Sequence, residues 1–348
     1  MTRCGVNRLL KATEEVYWLK SPVTANGRQY PAGTMYIPAR PSTAAIVQKL
    51  AVDKGLSFDA VAAKPAGDSM KLKPVRIGLW DQYGGSMPSG WTRWIFEQYE
   101  FPFEVVYPQT LDAGSLNSKY DVLVFVDGAI PERDVAAGAG QSGRSPAQPP
   151  ADAIPVQFRG WLGRVTVSKT VPELKKFVEN GGTVLTIGSS TVFGEHIGLP
   201  IGSALVERAP GGDERPLRRE KFYIPGSLLD ARVDNSNPLA YGMDDRAILM
   251  WDESPAFRLR PEATLQGVKP VAWFDSPTPL RSGWAWGQQY LDQAVAIVDA
   301  PVGKGHVVLF GPEVLWRGQP QGTFKLFFNG LYYGSATATR DGARTTEQ

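Results

Sequence analysis

Residues 183–194, TVLTIGSSTVFG, have the form of a catalytic elbow, a strand that stops at a glycine and turns. Val184, Leu185, Thr186 and Ile187 run into Gly188, and Ser189, Ser190 and Thr191 follow. A serine on a sharp strand-to-helix turn can act as a nucleophile when a base takes its proton. Ser190 is the candidate nucleophile, and the base would have to be His196 or His306, the two histidines of the chain. His196 lies six residues past Ser190, a spacing that on a helix turns it to another face, and its neighbour Glu195 points elsewhere again. His306 opens a later strand and is followed two residues on by Val308. The residue types therefore favour an elbow without chemistry, in which the small residues at 188–191 turn the chain and cap the next helix. On that reading Ser190→Ala costs about 1 kcal/mol, and His196 is at most a weak catalytic candidate.

Other residues are suited to holding a ligand. The loop WDQYGGSMPSGW (80–91) follows a strand, where open α/β sheets place their crevice. Gly84 and Gly85 would let backbone amides approach a ligand, Ser189 faces the same edge, and Asp81 could orient what binds. The chain has 10 tryptophans, enough to ask which of them pack and which present a ring. Trp91 and Trp94 sit on a helical pattern and are expected to pack that helix onto the sheet. Trp284 and Trp286, in GWAWG, share one strand face between glycines and are candidate stacking platforms for a sugar or cell-wall ligand.

Composition narrows the classes. Lys and Arg total 37 against 35 Asp and Glu, with no long run of one sign, so nothing argues for nucleic acid or an anionic membrane. The most basic stretch, RPLRREK (215–221), reads as a solvated loop. One cysteine, Cys4, excludes an internal disulfide and a thiolate metal cluster. No apolar run approaches the roughly 20 residues of a spanning helix, and charges interrupt the first 20 before a signal-peptide core can form. The G-x-G-x-x-G at Gly138, Gly140 and Gly143 precedes RSPAQPP, where no helix can start to receive a pyrophosphate, so it implies no dinucleotide and no other cofactor.

The elements that must position these residues alternate from Val75 onward. VRIGLW (75–80), FEVVY (103–107), YDVLVFVDG (120–128) and TVLTIG (183–188) read as strands, the third a near-continuous apolar run of the kind covered on both faces. SGWTRWIFEQYEF (89–101) and VPELKKFVENGG (171–182) read as helices, the second ended by Gly181 or Gly182. Alternating strand and helix predicts an α/β fold with a doubly wound parallel sheet over 75–334. A more β-rich part closes it, with a hairpin turning on Val302-Gly303-Lys304-Gly305 and a final apolar helix at 322–334. Residues 1–64 read as a small α+β unit, with Asn26-Gly27 turning a hairpin and a helix capped by Ser42 or Thr43 and stopped by Gly55. Residues 65–74 read as a linker, 132–155 as a flexible insertion and 335–348 as a disordered tail.

VRIGLWDQYGGSMPSGWTRWIFEQYEFPFEVVYPQTLD, YDVLVFVDGAIP, VPELKKFVENGGTVLTIGSST and GKGHVVLFGPEVLWRGQPQGTFKLFFNGL together resemble one region of known proteins. It is the C-terminal class I glutamine amidotransferase-like (flavodoxin-like) region of long bacterial zinc-carboxypeptidase-like proteins, of the carboxypeptidase A type. GRQYPAGTMYI resembles the segment that joins this region to the peptidase domain. The resemblance implies a metallocarboxypeptidase domain or chain as partner and a secreted or periplasmic location. Active amidotransferases of this class read G-x-C-x-G at the elbow, with a later histidine and glutamate two residues apart. Here Ser190 takes the place of the cysteine and Val192 that of the second glycine. The peptidase zinc site needs H-x-x-E and a further histidine, whereas Leu199 and Leu309 stand three residues after His196 and His306. The chain thus reads as starting downstream of the peptidase: a non-catalytic accessory or binding domain without metal. The alternatives are a serine-dependent amidase or esterase at Ser190, or a carbohydrate-binding module using exposed tryptophans.

Overall fold

The computed structural model describes residues 2–134, 148–209 and 211–339. Ile77–Trp80, Val122–Phe125 and Thr183–Ile187 are buried at every position, as strands must be when both faces of their sheet are covered. With Phe103–Val106 and Gly305–Phe310 they form five parallel strands in the order 103–106, 77–80, 122–125, 183–187, 305–310. Numbered along the chain this is 2-1-3-4-5, the flavodoxin-like order. Helices Met87–Gln98 and Phe324–Tyr333 share one face, where Phe96 stacks on Phe327 at 6.0 Å. Right-handed crossovers put Thr170–Glu179 on the other, burying Leu174, Phe177 and Val178. This helix stops where Gly181 takes φ +102°, the left-handed conformation that glycine adopts most readily.

The sheet does not stop at its parallel half. Past 305–310 it continues through Val295–Val302, Lys269–Trp273, Pro225–Val233 and Arg246–Asp252, each antiparallel to its neighbour. The fold is α/β, and the expected parallel sheet is one half of a mixed one. The β-rich C-terminal part is hydrogen-bonded into the same sheet, with the 295–302/305–310 hairpin at the junction turning at Gly303 and Lys304 as expected.

Asp121 ties the entrance of two parallel strands together. It accepts from the Arg76 backbone N–H (2.9 Å), from the Arg76 guanidinium (3.0 and 3.1 Å) and from Lys73 Nζ (3.1 Å). Burial alone would raise its carboxyl, but the hydrogen bonds from Arg76 and Lys73 prevail and hold it at about 2, below the ordinary 3.8. A carboxyl depressed in the folded state stabilises above its unfolded pKa, and that contribution fades as pH falls from about 4 to about 2. Asp121→Asn is therefore expected to lower stability at pH 7 by about 2 kcal/mol and to change it little at pH 2, as read by urea melts at both pH values.

The first 64 residues are bound to the rest through a second sheet of four antiparallel strands, ordered Thr337–Thr339, Ser69–Lys71, Tyr17–Leu19, Met35–Tyr36. Two of these correct the sequence reading, because Ser69–Lys71 falls in the expected linker and Thr337–Thr339 in the expected disordered tail. Trp18 is fully buried and meets Tyr241 edge-on at 5.3 Å, so this sheet and the large one share a core. Gly55 ends the 43–54 helix at φ +63°, and Asn26 and Gly27, at +50° and +73°, turn the hairpin as read. Ser42 and Thr43 make no side-chain cap, however. Their hydroxyls donate to the two oxygens of Glu14, at 2.5 and 2.8 Å.

The middle of the expected 132–155 insertion, with Gly138, Gly140 and Gly143, lies outside the described residues. Its flanks are held: Asp134 accepts from Val167 and Ser168 N–H (2.6 and 3.0 Å), and the Gln148 amide makes both hydrogen bonds with the Gly163 backbone (2.7 and 2.8 Å).

Candidate functional site

The carboxyl ends of the parallel strands carry the loops at 81–86, 126–131, 188–192 and 311–318. At the elbow the strand runs out at Ile187, and a 3₁₀ turn, Gly188–Val192, leads into the four-residue helix Phe193–His196. The residue with left-handed backbone is Gly188, at φ +60°. A nucleophile elbow presents its nucleophile at the strained point of the turn, which here is Gly188 and not Ser190, the residue that the sequence pattern put in the place of the cysteine. Gly188 has no side chain. A Cβ built on Gly188 would lie 2.6 Å from Asp127 Oδ1 and 2.7 Å from Glu313 Oε1, so two carboxylates close on the empty position.

Both serines are spent on holding this turn. Ser190 is fully buried, and its hydroxyl donates to Val126 O (2.6 Å) while accepting from Ala129 N–H (2.9 Å) and Ile130 N–H (3.1 Å). It caps no helix, contrary to the sequence reading; it staples the elbow to the neighbouring 126–130 loop. Ser189 repeats the pattern at the surface, donating to Asp127 Oδ1 (2.6 Å) and accepting from Gly128 N–H (2.9 Å). His196 reaches the same loop from the other side, its Nε2 bonded to Pro131 O at 2.7 Å. The Ser190 proton therefore points at a carbonyl and not at an imidazole.

His306 pairs in register with Thr183, at the opposite end of the strand, and is bonded through Nδ1 to Asp299 (3.2 Å). Five residues of strand, roughly 16 Å, separate that position from the elbow. Asp81 also serves its own loop. It is buried, accepts from Gln82 N–H (2.8 Å) and approaches Arg93 Nη1 at 3.4 Å. Burial raises its carboxyl above the ordinary value, while the N–H groups of Gln82 and Ser86 and the charge of Arg93 pull the other way. Gly84 and Gly85 follow with consecutive positive φ, +85° and +82°, and space for a Cβ at both.

The tryptophans sort differently from expectation. Trp91 and Trp94 do not pack the 87–98 helix onto the sheet; Ser89, Thr92, Ile95 and Phe96 do. The two rings stand on the outside, edge-to-face at 6.0 Å, over Gly318. The helical pattern of apolar residues is real, but an adjacent row of smaller side chains faces the core.

Trp284 and Trp286 do not share a strand face as read: they lie in the irregular segment that follows the short strand Leu280–Ser282, 53% and 54% exposed with ring planes 13° apart and centroids 6.5 Å apart. They are fixed from beneath. Ser227 Oγ accepts from Trp284 N–H (2.9 Å) and donates to Trp284 O (2.6 Å), and Trp286 exchanges both backbone bonds with Tyr223 (2.9 and 3.0 Å). Trp286 Nε1 donates to Glu220 O at 2.7 Å. The structure thus divides the candidates into a polar elbow crevice (Asp81, Gly84, Gly85, Ser189) and an aromatic surface. Asp127 and Glu313, which close the elbow, were not singled out in the sequence; both stand just past a strand end, in VFVDG and LFGPE, and that is the only sign of them there.

A five-strand parallel core extended by antiparallel strands, with a closed elbow at its carboxyl edge, defines an open-sheet α/β protein. No protein-family model and no curated protein matches the chain. Among solved structures it is similar to PurLQS from Thermotoga maritima, 16% identical over 75% of this chain and 99% of that one, with a TM-score of 0.42. A putative GMP synthase protein from Thermoplasma acidophilum is 11% identical over 74% and 92%, TM-score 0.42. The β-galactosidase from Bacillus circulans is 8% identical over 75% of this chain and 31% of that one, TM-score 0.39. The first two have glutamine amidotransferase-like folds.

Proposed function

We propose that this chain is a non-catalytic binding domain on a glutamine amidotransferase-like frame, and that Trp284 and Trp286 form its ligand surface, taking a glycan. The observation that carries the first half is Gly188: the elbow position that would present a nucleophile has no side chain and is enclosed by Asp127 and Glu313. The hydroxyl one might put in its place, Ser190, has no access to solvent and no base. Incubation with a fluorophosphonate probe, with peptide mapping, is expected to leave Ser189 and Ser190 unlabelled, and glutamine and chromogenic esters to stay intact. A label on either serine, or turnover lost in Ser190→Ala while the fold is kept, would sink the reading.

The association with a zinc metallocarboxypeptidase, and with it a secreted or periplasmic location, is supported by the resemblance of the 75–334 phrases to such proteins. An in-frame zinc-peptidase coding region immediately upstream of Met1 is the expected finding, and an unrelated gene there would end it. The chain itself is expected to hold no stoichiometric zinc, because its two histidines sit at opposite ends of the parallel strands and a catalytic zinc takes three protein ligands. Metal analysis of the purified protein showing one tightly bound zinc would contradict this.

A further inference from the structure

One edge of the large sheet is open. Arg246–Asp252 ends the strand order and, among the described residues, pairs only with Pro225–Val233. The register sets which of its backbone groups face outward. Val233 N–H donates to Asp245 O within the pair, whereas Asp230 N–H turns away from it to Pro279 O. Arg246, Ile248 and Met250 stand opposite Arg232, Asp230 and Leu228, so by the same alternation their N–H and C=O groups point off the sheet. Met250 O is met there by Glu313 N–H at 3.0 Å, and beyond the other end of the strand Lys325 Nζ donates to Gly242 O. The 313–325 segment is thus pinned to this edge at two places. Between the pins lies a groove of about 770 Å³, with Arg246 and Ile248 on one wall and Trp316, Gln319 and Pro320 on the other. Among the described residues no hydrogen bond takes up the outward backbone groups of Arg246 and Ile248.

We infer that this groove takes an extended, uncharged peptide segment of another protein, added to the sheet as one more strand beside Arg246–Met250. The inference is independent of the glycan reading of Trp284 and Trp286. Free strand edges are ordinarily blunted by lysine, proline or a bulge. From Ala247 to Trp251 this edge has none of them, and its register with 227–231 is unbroken. The outward groups recur every second residue, roughly 7 Å apart, and an extended peptide presents donors and acceptors at that same interval. Its alternate side chains would lie beside Ile248 and Leu228, 43% and 38% exposed, so the fitting sequence is apolar at every second position. Charge selects the same ligand. Arg246 and Arg281 are matched by Asp230 and Asp275, and the two other charged side chains lining the groove, Lys325 and Asp244, are opposite in sign. A second copy of the chain suits the edge less well. A stable dimer buries about 800 Å² per partner, whereas the large apolar side chains exposed along this edge are Leu228 and Ile248, and the wall at 319–322 stands in the way of a second sheet.

The test pans a random dodecapeptide library on the full chain. The enriched peptides are expected to carry apolar residues at alternate positions and to protect the amides of Arg246 and Ile248 from hydrogen exchange. Gln321→Trp, which fills the groove from an exposed position on its far wall, is expected to weaken them at least tenfold at an unchanged melting temperature. Methylation of alternate backbone nitrogens of the peptide, which removes its donors and leaves its side chains, is expected to do the same. A library that enriches nothing, or peptides that bind Gln321→Trp and wild type equally well, would overturn the proposal. Protection of the same amides in the chain alone, together with sedimentation as a dimer, would overturn it in favour of a second copy.

Discussion

Ser190→Ala should destabilise the chain by about 2 kcal/mol, twice what a lost helix cap would cost. The Ser190 hydroxyl is buried with three partners: it donates to Val126 O and accepts from the N–H groups of Ala129 and Ile130. Alanine leaves the Ile130 amide without a partner, while Ala129 N–H and Val126 O keep the 3.2 Å bond between them; an orphaned buried group costs roughly 1–3 kcal/mol. Folding of a domain is worth only about 5–15 kcal/mol, so the variant would lose a large part of its margin. Denaturant melts of wild type and variant measure the difference directly. A loss under about 1 kcal/mol would mean that the staple between elbow and loop is absent in solution. Ser190→Thr, which keeps the hydroxyl but adds a methyl group in a closed space, separates the lost hydrogen bonds from overpacking.

Gly287→Ala should have the largest effect on the aromatic surface. Gly287 sits at φ +76°, and a Cβ there would come 1.9 Å from the backbone oxygen of Lys221, where neither atom can swing aside. Strain of a non-glycine residue at such an angle costs of order 1–3 kcal/mol before any clash. The segment carrying Trp284 and Trp286 must then separate from the 217–223 loop, breaking the Trp286–Tyr223 backbone pair and the indole bond to Glu220. Tryptophan fluorescence should shift to the red and glycan binding at the two rings should be lost, while the far-ultraviolet circular dichroism stays close to wild type. Retained binding with an unshifted spectrum would show that the rings do not depend on this clamp.

Much of the frame was legible because it rests on local signals. Apolar runs marked the parallel strands, and glycines marked where helices end or hairpins turn, as at Gly55, Gly181 and Gly303. What escaped depends on partners far along the chain. Ser69–Lys71 and Thr337–Thr339 carry no strand signal of their own and form by pairing with each other and with Tyr17–Leu19. Ser42 and Thr43 look like caps, yet their hydroxyls go to Glu14, 28 and 29 residues away. At the elbow the glycine that begins the turn was visible as a turn residue. That its vacancy is filled by Asp127 and Glu313 follows from how the strands are ordered, and spacing along the chain does not encode that order.

The small sheet also brings two segments from opposite ends of the described chain side by side. Tyr17–Leu19 and Thr337–Thr339 flank Ser69–Lys71, two strand spacings apart, or roughly 10 Å. The Thr2–Lys11 helix precedes the first of these strands, so what the sheet holds side by side is two segments with 317 residues between Leu19 and Thr337. Once the shared core has formed, three short strands suffice to hold the two segments together, because the entropic cost of closing a loop grows only with the logarithm of its length.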